Sequence, residues 1–550
     1  MLSGLLCGLL LCGLLAAPAG ATPLDEYVSA PDKHFAWHDT GARIKTKFGG
    51  EAMVLNVTSQ QWLDTSRAAG PSGGAIWTHQ VVVVVPKTVQ FRNVSFAYVT
   101  GGCNDNPSVP KPTDEDLLVV DEVTWATGGI GIVIYQVPNC PIVYPSDPSK
   151  KKRTEDAMIA WGWKQFLESE DPEWLARLPM TKAAMACMKA AEQYLHQQKL
   201  ADFSDGGGWF VAGASKRGWT TWTVGSVTCE SCPNIVGLAP LVPIVPNMIK
   251  EIHRMWMAYG GWTFAFTDYL AINLTVNVDT PQFAKAMSIV DPVNYKERLS
   301  RLPIQAVLSS DDEFMMMDWS NIWYRNLTDG EADLHLLIAQ NSEHSLATGI
   351  PEVLPALSVF LSSIAHGHPP SRRPSFEFEG PDPEDGTMTL AVPMGRAPSK
   401  VTLFHAETLQ SERRDFRWVR LASNATGLCK LPDVPLSKPV FGGNCIQPIV
   451  WHAQTLAPHV EPLKQQLAYT ATPPQPSKPG RWVGYCKPLP LSFRHSLKMR
   501  LHRCRAALPL RHGHEGGLHC YDARLHVAQH AAVPRLHGRG LPRTSAVGKA

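Results

Sequence analysis

Ser215 lies in a segment whose small residues are typical of a catalytic serine. The segment reads Gly213-Ala214-Ser215-Lys216-Arg217-Gly218 and follows the apolar run 209–212. A nucleophile elbow needs small residues around its serine, because the sharp turn from strand to helix crowds the backbone and exposes the Oγ atom. Gly213 meets this need, whereas Gly218 comes one position later than in the G-x-S-x-G pattern. The segment predicts a nucleophilic Ser215; the alternative is an ordinary turn between a strand and a helix.

Two later loops contain an acid and a histidine in the chain order that serine catalysis requires. The apolar run 304–308 is followed by Asp311 and Asp312, and the run 334–339 is followed by His344. A serine is a poor nucleophile until an imidazole takes its proton, and the imidazole needs a carboxylate that fixes its tautomer. The order predicts that His344 serves Ser215 but does not choose between the two aspartates. The alternative for His344 is an ordinary exposed loop histidine.

A double glycine after an early apolar run indicates an oxyanion hole. Gly101 and Gly102 follow the run 96–100. Glycine lets backbone N–H groups approach a developing oxyanion without interference from a side chain. The N–H groups of Gly102 and Lys216 are therefore the predicted donors. The alternative is that the double glycine only makes a turn.

These residues need a sheet that brings the ends of several strands together. Between Gly74 and Pro370, short apolar runs alternate with longer amphipathic stretches, which is typical of an α/β fold with a mostly parallel sheet and flanking helices. The predicted strands are residues 81–85, 96–100, 131–135, 209–212, 235–241, 304–308 and 334–339. The predicted helices are residues 154–166, 181–197, a stretch from Gly218 onward, and 345–364. The predicted catalytic residues then meet at the carboxyl edge of an α/β-hydrolase-like sheet.

The chain divides into four predicted parts. Residues 1–21 form a signal peptide, 22–368 the α/β-hydrolase-like domain, and 369–485 a smaller β-rich C-terminal domain made of short alternating runs. Residues 486–550 are basic and contain eight of the 20 histidines, with no periodicity. This abrupt change predicts an out-of-frame or misassembled translation, or a disordered tail. The alternative is a metal-binding or polybasic tail, although the histidines lack ligand spacing.

Composition excludes several classes of protein. Hydrophobic residues make up 44% of the 550 residues and charged residues 18%, so a disordered, highly charged chain is excluded. The net charge is +2, but residues 487–550 contain 12 Lys and Arg against 2 Asp and Glu, so the remainder is acidic. Nucleic-acid binding needs a concentrated basic surface. An acidic body therefore argues against a nucleic acid as partner.

The N-terminus and the modification signals predict secretion. A leucine-rich run precedes Ala19-Gly20-Ala21, which is typical of a cleavable signal peptide, and the run is too short for a stable membrane span. The alternative is a membrane anchor. The chain also carries five sequons, each a candidate glycosylation site, at Asn56, Asn93, Asn273, Asn326 and Asn424.

The spacing of the cysteines fits an oxidising compartment. Such a compartment allows Cys103 to pair with Cys140 and Cys429 with Cys445, which are pairings suggested only by nearness in the chain. The C-x-x-C of residues 229–232 lacks the partners of a zinc site and predicts a local disulfide.

Five segments carry a family resemblance: GASKRGWTTW (213–222), TPLDEYVSAPD (22–32), LPMTK (178–182), DEFMMMD (312–318) and NSEHSL (341–346). Together they resemble the PhoPQ-activated pathogenicity-related family, which includes secreted autocrine proliferation repressor proteins. The resemblance implies an α/β-hydrolase with a C-terminal β domain and a triad of Ser215, Asp312 and His344. The family's pattern places its first acid at Asp312 and its second at Asp318, which leaves Asp311 and Asp318 as alternative acids.

Two functions follow from these features. The first is a secreted serine hydrolase that acts on an ester or peptide substrate through an acyl-enzyme. The second is a non-enzymatic extracellular signalling protein that keeps the fold and binds a cell-surface receptor, because a fold does not fix a function. No cofactor is predicted, since no metal cluster or phosphate-binding glycine motif occurs in context.

Overall fold

A nine-stranded sheet forms the centre of the protein. The computed structural model describes residues 20–485 apart from 72, 106, 205, 329–332, 371–375, 380–381, 383–384, 423–425, 431–437, 439–442 and 479–482. The strands of the main sheet are β1 (Ala36–Lys45), β2 (Glu51–Gln61), β3 (Ile76–Val85), β4 (Val94–Val99), β5 (Ile130–Ile134), β6 (Gly208–Ala214), β7 (Ile235–Leu241), β8 (Ile304–Ser309) and β9 (Leu334–Ala339).

The sheet has the order β1-β2-β3-β5-β4-β6-β7-β8-β9. Strands β5, β4, β6, β7, β8 and β9 are parallel, and β1, β2 and β3 extend the sheet in antiparallel fashion. The predicted mostly parallel α/β fold is therefore confirmed. The seven strands predicted from apolar runs are present because continuous apolar runs suit strands buried on both faces. Strands β1 and β2 were not predicted, because most residues of β1 are exposed or half-buried and polar residues interrupt the apolar run of β2.

Helices cover both faces of the sheet. The helices are α1 (Pro23–Ser29), α2 (Glu115–Thr127), α3 (Glu155–Ser169), α4 (Arg177–Gln197), α5 (Lys216–Ser226), α6 (Met248–Tyr259), α7 (Thr267–Ala271), α8 (Pro281–Val290), α9 (Lys296–Leu299), α10 (Ser320–Thr328) and α11 (Ile350–Ala365). Local sequence sets their ends. The Asp114 side chain caps α2 by accepting from the Leu117 N–H, and Gly128 ends the helix in the left-handed region.

Two hydrophobic clusters lie on opposite faces of the sheet. In β3, Val81 and Val83 belong to one cluster, whereas Val82 and Val84 belong to the other. This division follows from the period of two along a strand, which sends successive side chains to opposite faces. Helices α4 and α5 pack on the first face, and α2 and α11 pack on the second. The sheet is thus a rigid central layer between helices.

The C-terminal segment forms antiparallel sheets. Its strands are β10 (Glu377–Glu379), β11 (Met388–Pro393), β12 (Val401–Glu407), β13 (Val419–Leu421), β14 (Asn444–Ile446), β15 (His452–Leu456), β16 (His459–Glu461), β17 (Gln466–Ala471) and β18 (Val483–Tyr485). They pair in the orders β10-β11-β17-β16, β15-β12-β18 and β13-β14. Phe404, Phe416 and Trp451 from this segment belong to the same hydrophobic cluster as the first face of the main sheet. The β segment therefore packs directly against the hydrolase-like part.

The three disulfides that the sequence suggested are present, namely Cys103–Cys140, Cys229–Cys232 and Cys429–Cys445.

Among the sequons, the side chains of Asn56, Asn93 and Asn273 are exposed. The side chain of Asn326, residue 424, most of the predicted signal peptide and the tail 486–550 lie outside the described residues. Within the described part of the chain, no helix has the length and apolarity needed to cross a bilayer.

Candidate active site

Ser215 lies at the sharp turn between β6 and α5. Its backbone has φ 57° and ψ −121°, a conformation that costs energy for a residue with a Cβ atom. A Cβ at Gly213 would lie 2.8 Å from the Arg217 carbonyl oxygen, and a Cβ at Gly218 would lie 2.5 Å from the Leu241 carbonyl oxygen. Both glycines are therefore needed for the close approach of strand and helix. The structure thus explains why the second glycine is at position 218 here.

Arg217 occupies the position where the G-x-S-x-G pattern has its second glycine. Its guanidinium lies against Gly101, where a Cβ would come within 2.4 Å of it. The guanidinium also donates to the Val137 carbonyl and to the Glu155 carboxylate. Gly101 is therefore required for packing against Arg217, a role that the oxyanion prediction did not consider.

The structure brings Ser215, His344 and Asp312 into one hydrogen-bonded line. The Oγ atom of Ser215 lies 2.9 Å from Nε2 of His344. Nδ1 of His344 lies 3.0 Å from both carboxylate oxygens of Asp312. Because a carboxylate can only accept, Nδ1 carries the proton and Nε2 is left to accept from the serine hydroxyl. This is the geometry in which an imidazole can take a proton from serine.

Asp312 is held by its own loop. One carboxylate oxygen accepts from the Phe314 N–H at 2.8 Å and from the Met315 N–H at 2.9 Å. The Phe314 ring stacks on the imidazole of His344, with ring centres 4.2 Å apart. The carboxylate is nearly inaccessible, with 3% of the residue exposed. Both the acid and the imidazole plane are therefore fixed before any substrate arrives.

Burial and nearby carboxylates have opposite effects on the pKa of His344. Burial disfavours the charged imidazolium, but the charge of Asp312 and the hydrogen bond to it outweigh burial and raise the pKa above its ordinary value. Glu313 accepts from the His344 backbone N–H at 2.9 Å. Burial, followed by the charge of Asp312, raises the pKa of Glu313 to about 7. Glu313 beside the triad therefore titrates near neutrality, and the pKa of His344 lies above its ordinary value.

The alternative acids lie away from the imidazole. Asp311 accepts from Ser310 Oγ at 2.6 Å and from Trp451 Nε1 at 3.1 Å. Asp318 is paired with Arg254 at 2.5 Å and with Arg414. Neither carboxylate is brought to His344, whereas Asp312 is. Tertiary packing thus distinguishes Asp311 from Asp312, which the order of residues in the chain could not do.

The two predicted oxyanion donors lie at the start of α5 and in the loop after β4. Lys216 is the first residue of α5, where helical N–H groups have no partner within the helix. Gly102 has φ 98° and lies in the loop after β4, next to the disulfide cysteine Cys103. This conformation favours glycine. Their role as donors to an oxyanion stays a prediction.

Sequence reasoning missed the charged side chains beside the serine. The Nζ atom of Lys216 lies 2.9 Å from Asp156 and 3.1 Å from Glu155, at the start of α3. The buried Arg177 donates to the Lys216 carbonyl at 2.8 Å. Glu155 and Asp156 follow Thr154, and acids are common in the first turn of a helix. The sequence therefore gives no signal that these two acids also lie beside the catalytic serine.

Comparison with known proteins shows the family. The family model described as "PhoPQ-activated pathogenicity-related protein" matches residues 24–417. The chain belongs to this family. A curated relative, autocrine proliferation repressor protein A of Dictyostelium discoideum, is 35% identical over 449 residues, which is 81% of this chain and 82% of the relative. The resemblance inferred from the sequence motifs is thus confirmed for the PhoPQ-related family.

Solved structures similar to this PhoPQ-related chain include esterases. Acetyl xylan esterase 1 from Thermoanaerobacterium sp. is 13% identical with a TM-score of 0.39, covering 62% of this chain and 93% of that chain. A thermostable esterase from Pseudomonas putida is 13% identical with a TM-score of 0.34, covering 62% and 85% respectively.

Proposed function

We propose that this PhoPQ-related protein is a serine hydrolase that cleaves a carboxylic ester or amide through an acyl-enzyme. The observation that carries the proposal is the hydrogen-bonded line from Ser215 through His344 to Asp312. The strained turn at Ser215 supports it, because a backbone conformation that costs energy is retained where function requires an exposed nucleophile.

The proposed reaction has two steps, acylation of Ser215 and hydrolysis of the acyl-enzyme. Ser215 Oγ forms a bond to the substrate carbonyl carbon while its proton passes to Nε2 of His344. The Gly102 and Lys216 N–H groups stabilise the oxyanion, and the leaving alcohol or amine departs with that proton. A water molecule then attacks the acyl-enzyme by the same route, which releases the acid and restores Ser215. Asp312 stays ionised throughout and stabilises the imidazolium.

The proposal includes secretion and glycosylation. Disulfides persist in oxidising compartments and are rare in reducing ones, so the three disulfides support an extracellular location. The exposed Asn56, Asn93 and Asn273 fit glycosylation during export. Expression in a secreting cell line followed by analysis of the mature N-terminus and glycan removal tests both points. Intracellular retention without glycan overturns them.

A fluorophosphonate probe tests the catalytic proposal. The secreted protein is labelled beside Ser215→Ala and His344→Ala variants whose folding is checked by thermal unfolding. We expect the wild type to be labelled and both variants to be unlabelled, since removal of either group costs about 10⁶-fold in kcat in a serine protease triad. Unlabelled wild-type protein with a normal unfolding transition contradicts the hydrolase proposal.

A second candidate function is extracellular signalling through a receptor. It is favoured by the name of the 35% identical relative, autocrine proliferation repressor protein A. The Ser215→Ala variant separates the two functions, because the change removes one oxygen atom from a folded surface. Proliferation of cells treated with the variant is the measurement. Repression that persists without Ser215 indicates binding, and repression that is lost indicates catalysis.

A further inference from the structure

Trp451 of the β segment contacts both loops that hold the acid and the histidine. Its indole Nε1 donates to the Asp311 carboxylate at 3.1 Å, in the acid loop (residues 310–313). Its backbone pairs with the side chain of Asn341, in the histidine loop (residues 340–346). Asp311 directly precedes Asp312, and Asn341 is three residues before His344. One residue therefore links the two loops.

The pairing with Asn341 uses both ends of the amide. Asn341 Nδ2 donates to the Trp451 carbonyl at 3.0 Å, and the Trp451 N–H donates to Asn341 Oδ1 at 2.7 Å. The Asn341 N–H also donates to Ser310 Oγ at 2.8 Å, and that hydroxyl donates to Asp311. These bonds form a closed polar ring through Trp451, Asn341, Ser310 and Asp311. Such a ring fixes the separation of the two loops.

Three members of the ring are buried, whereas Asn341 is exposed. Trp451 is 2% exposed, Asp311 is 1% exposed, and the Trp451 ring packs on Phe416 with centres 5.4 Å apart. The Trp418 N–H, also from the β segment, donates to the Asp311 carbonyl at 3.0 Å. Around Asp311 the polar network specifies one arrangement, because a broken bond there leaves a buried group unpaired.

We propose that Trp451 is a positioning residue through which the β segment sets the distance between Asp312 and His344. The inference rests on the proposed function for its effect on rate, but the geometry it concerns exists without a substrate. It assigns the β segment a part in catalysis: Trp451 acts through Asp311 and Asn341, and neither touches Ser215. Displacement of a catalytic group by about 1 Å can cost on the order of 10²-fold in rate.

Trp451→Phe tests the proposal with a matched control. The change keeps an aromatic ring and the backbone pairing with Asn341 but removes the indole donor to Asp311. The control is Trp209→Phe, which removes an indole donor to the Glu192 carboxylate (2.8 Å) from an equally buried tryptophan at the start of β6. Strand β6 places Ser215 at its far end, so the control lies away from the triad.

We expect Trp451→Phe to lower kcat for p-nitrophenyl acetate roughly 10-fold or more with little change in KM, whereas Trp209→Phe changes only the melting temperature. NMR titration of His344, assigned with a His344→Gln variant, is the second measurement. A looser Asp312 contact lowers the pKa of His344 towards its ordinary value in Trp451→Phe and leaves it unchanged in Trp209→Phe. Identical behaviour of the two variants overturns the proposal.

A conservative pair at Asp311 provides a further check. Asp311→Asn keeps an oxygen that accepts from Trp451, and the Ser310 hydroxyl can rotate to accept from the new NH₂ group, so both kcat and the His344 titration stay near wild type. Asp311→Leu removes the acceptor, so it should resemble Trp451→Phe, and equal loss in both Asp311 variants contradicts the proposal. If the wild type neither labels nor hydrolyses, the proposed function fails. The His344 titration then still decides the positioning role.

Discussion

Replacement of Asp312 by asparagine tests the triad at its least accessible member. An asparagine has the same shape, and its Oδ1 can still accept from the N–H groups of Phe314 and Met315. Its NH₂ group, however, replaces the other carboxylate oxygen, which also lies 3.0 Å from Nδ1 of His344. A donor beside the Nδ1–H group disfavours that tautomer, so the imidazole carries its proton on Nε2. That nitrogen can then no longer take a proton from Ser215.

The expected loss of activity is large and the loss of stability is small. The equivalent carboxylate-to-amide change in a serine protease lowers kcat about 10⁴-fold, which corresponds to about 5 kcal/mol of transition-state stabilisation. Because the two backbone N–H groups keep their acceptor, the free energy of unfolding should fall by only about 1 kcal/mol. Activity and stability therefore separate in this variant.

The assay compares kcat/KM at pH 7 with the thermal unfolding of each variant. Asp291→Asn is the matched control, since Asp291 is also a buried carboxylate that accepts from backbone N–H groups, those of Asn247, Met248 and Val293. We expect the control to keep its activity. A loss below 10-fold for Asp312→Asn, or an equal loss in the control, refutes the reasoning.

The remaining predictions concern the effect of pH and the disulfide that follows Gly102. His344 must be neutral to act as a base and its pKa is raised, so kcat/KM should fall as pH drops through a value above 6.5. Glu313 has a pKa of about 7 in the folded protein against an ordinary 4.5. Its contribution to the free energy of unfolding is therefore complete below pH 4.5 and is lost as pH rises through 7. Glu313→Gln should remove this pH-dependent contribution, which is on the order of 3 kcal/mol. A Cys103→Ser/Cys140→Ser variant should lose about 3–4 kcal/mol of stability, because the disulfide joins cysteines 37 residues apart. The kcat of this variant should also fall, because the disulfide lies directly after Gly102.

Each of these predictions has a contrary outcome. An acid limb of the rate profile at or below pH 6.5 contradicts the Asp312 effect on His344. Equal pH dependence of unfolding in wild type and Glu313→Gln places the neutral-range titration on another group. Unchanged kcat in a folded variant without the Cys103–Cys140 disulfide removes the support for Gly102 as an oxyanion donor.

Apolar periodicity was sufficient for the central part of the fold. Runs such as 235–241 and 334–339 are buried on both faces, so their own composition predicts them as strands. The antiparallel strands β1 and β2 were missed, because β1 is partly exposed and their places are set by pairing, β1 with β2 and β2 with β3. In the β segment, Phe416 lies outside strand β13 (Val419–Leu421) and packs beside Trp451.

Part of the candidate site could likewise be predicted from the sequence. Ser215 and His344 could be selected from chain order, because each follows a recognisable strand. The choice of Asp312 over Asp311 could not be made from order, since the two are neighbours with opposite directions of their side chains. Family resemblance made that choice, and the structure agrees in placing Asp312, not Asp311, on the imidazole.

The sequence by itself determined strands β3 to β9, their order along the chain and the types of group at their carboxyl ends, since these depend on residue periodicity and local turns. Only the tertiary structure decided which atoms meet. The link from Trp451 to Asp311 spans 140 residues, and that from Trp451 to Asn341 spans 110. Contacts at such separations depend on how the β segment packs on the sheet, and no local pattern encodes that packing.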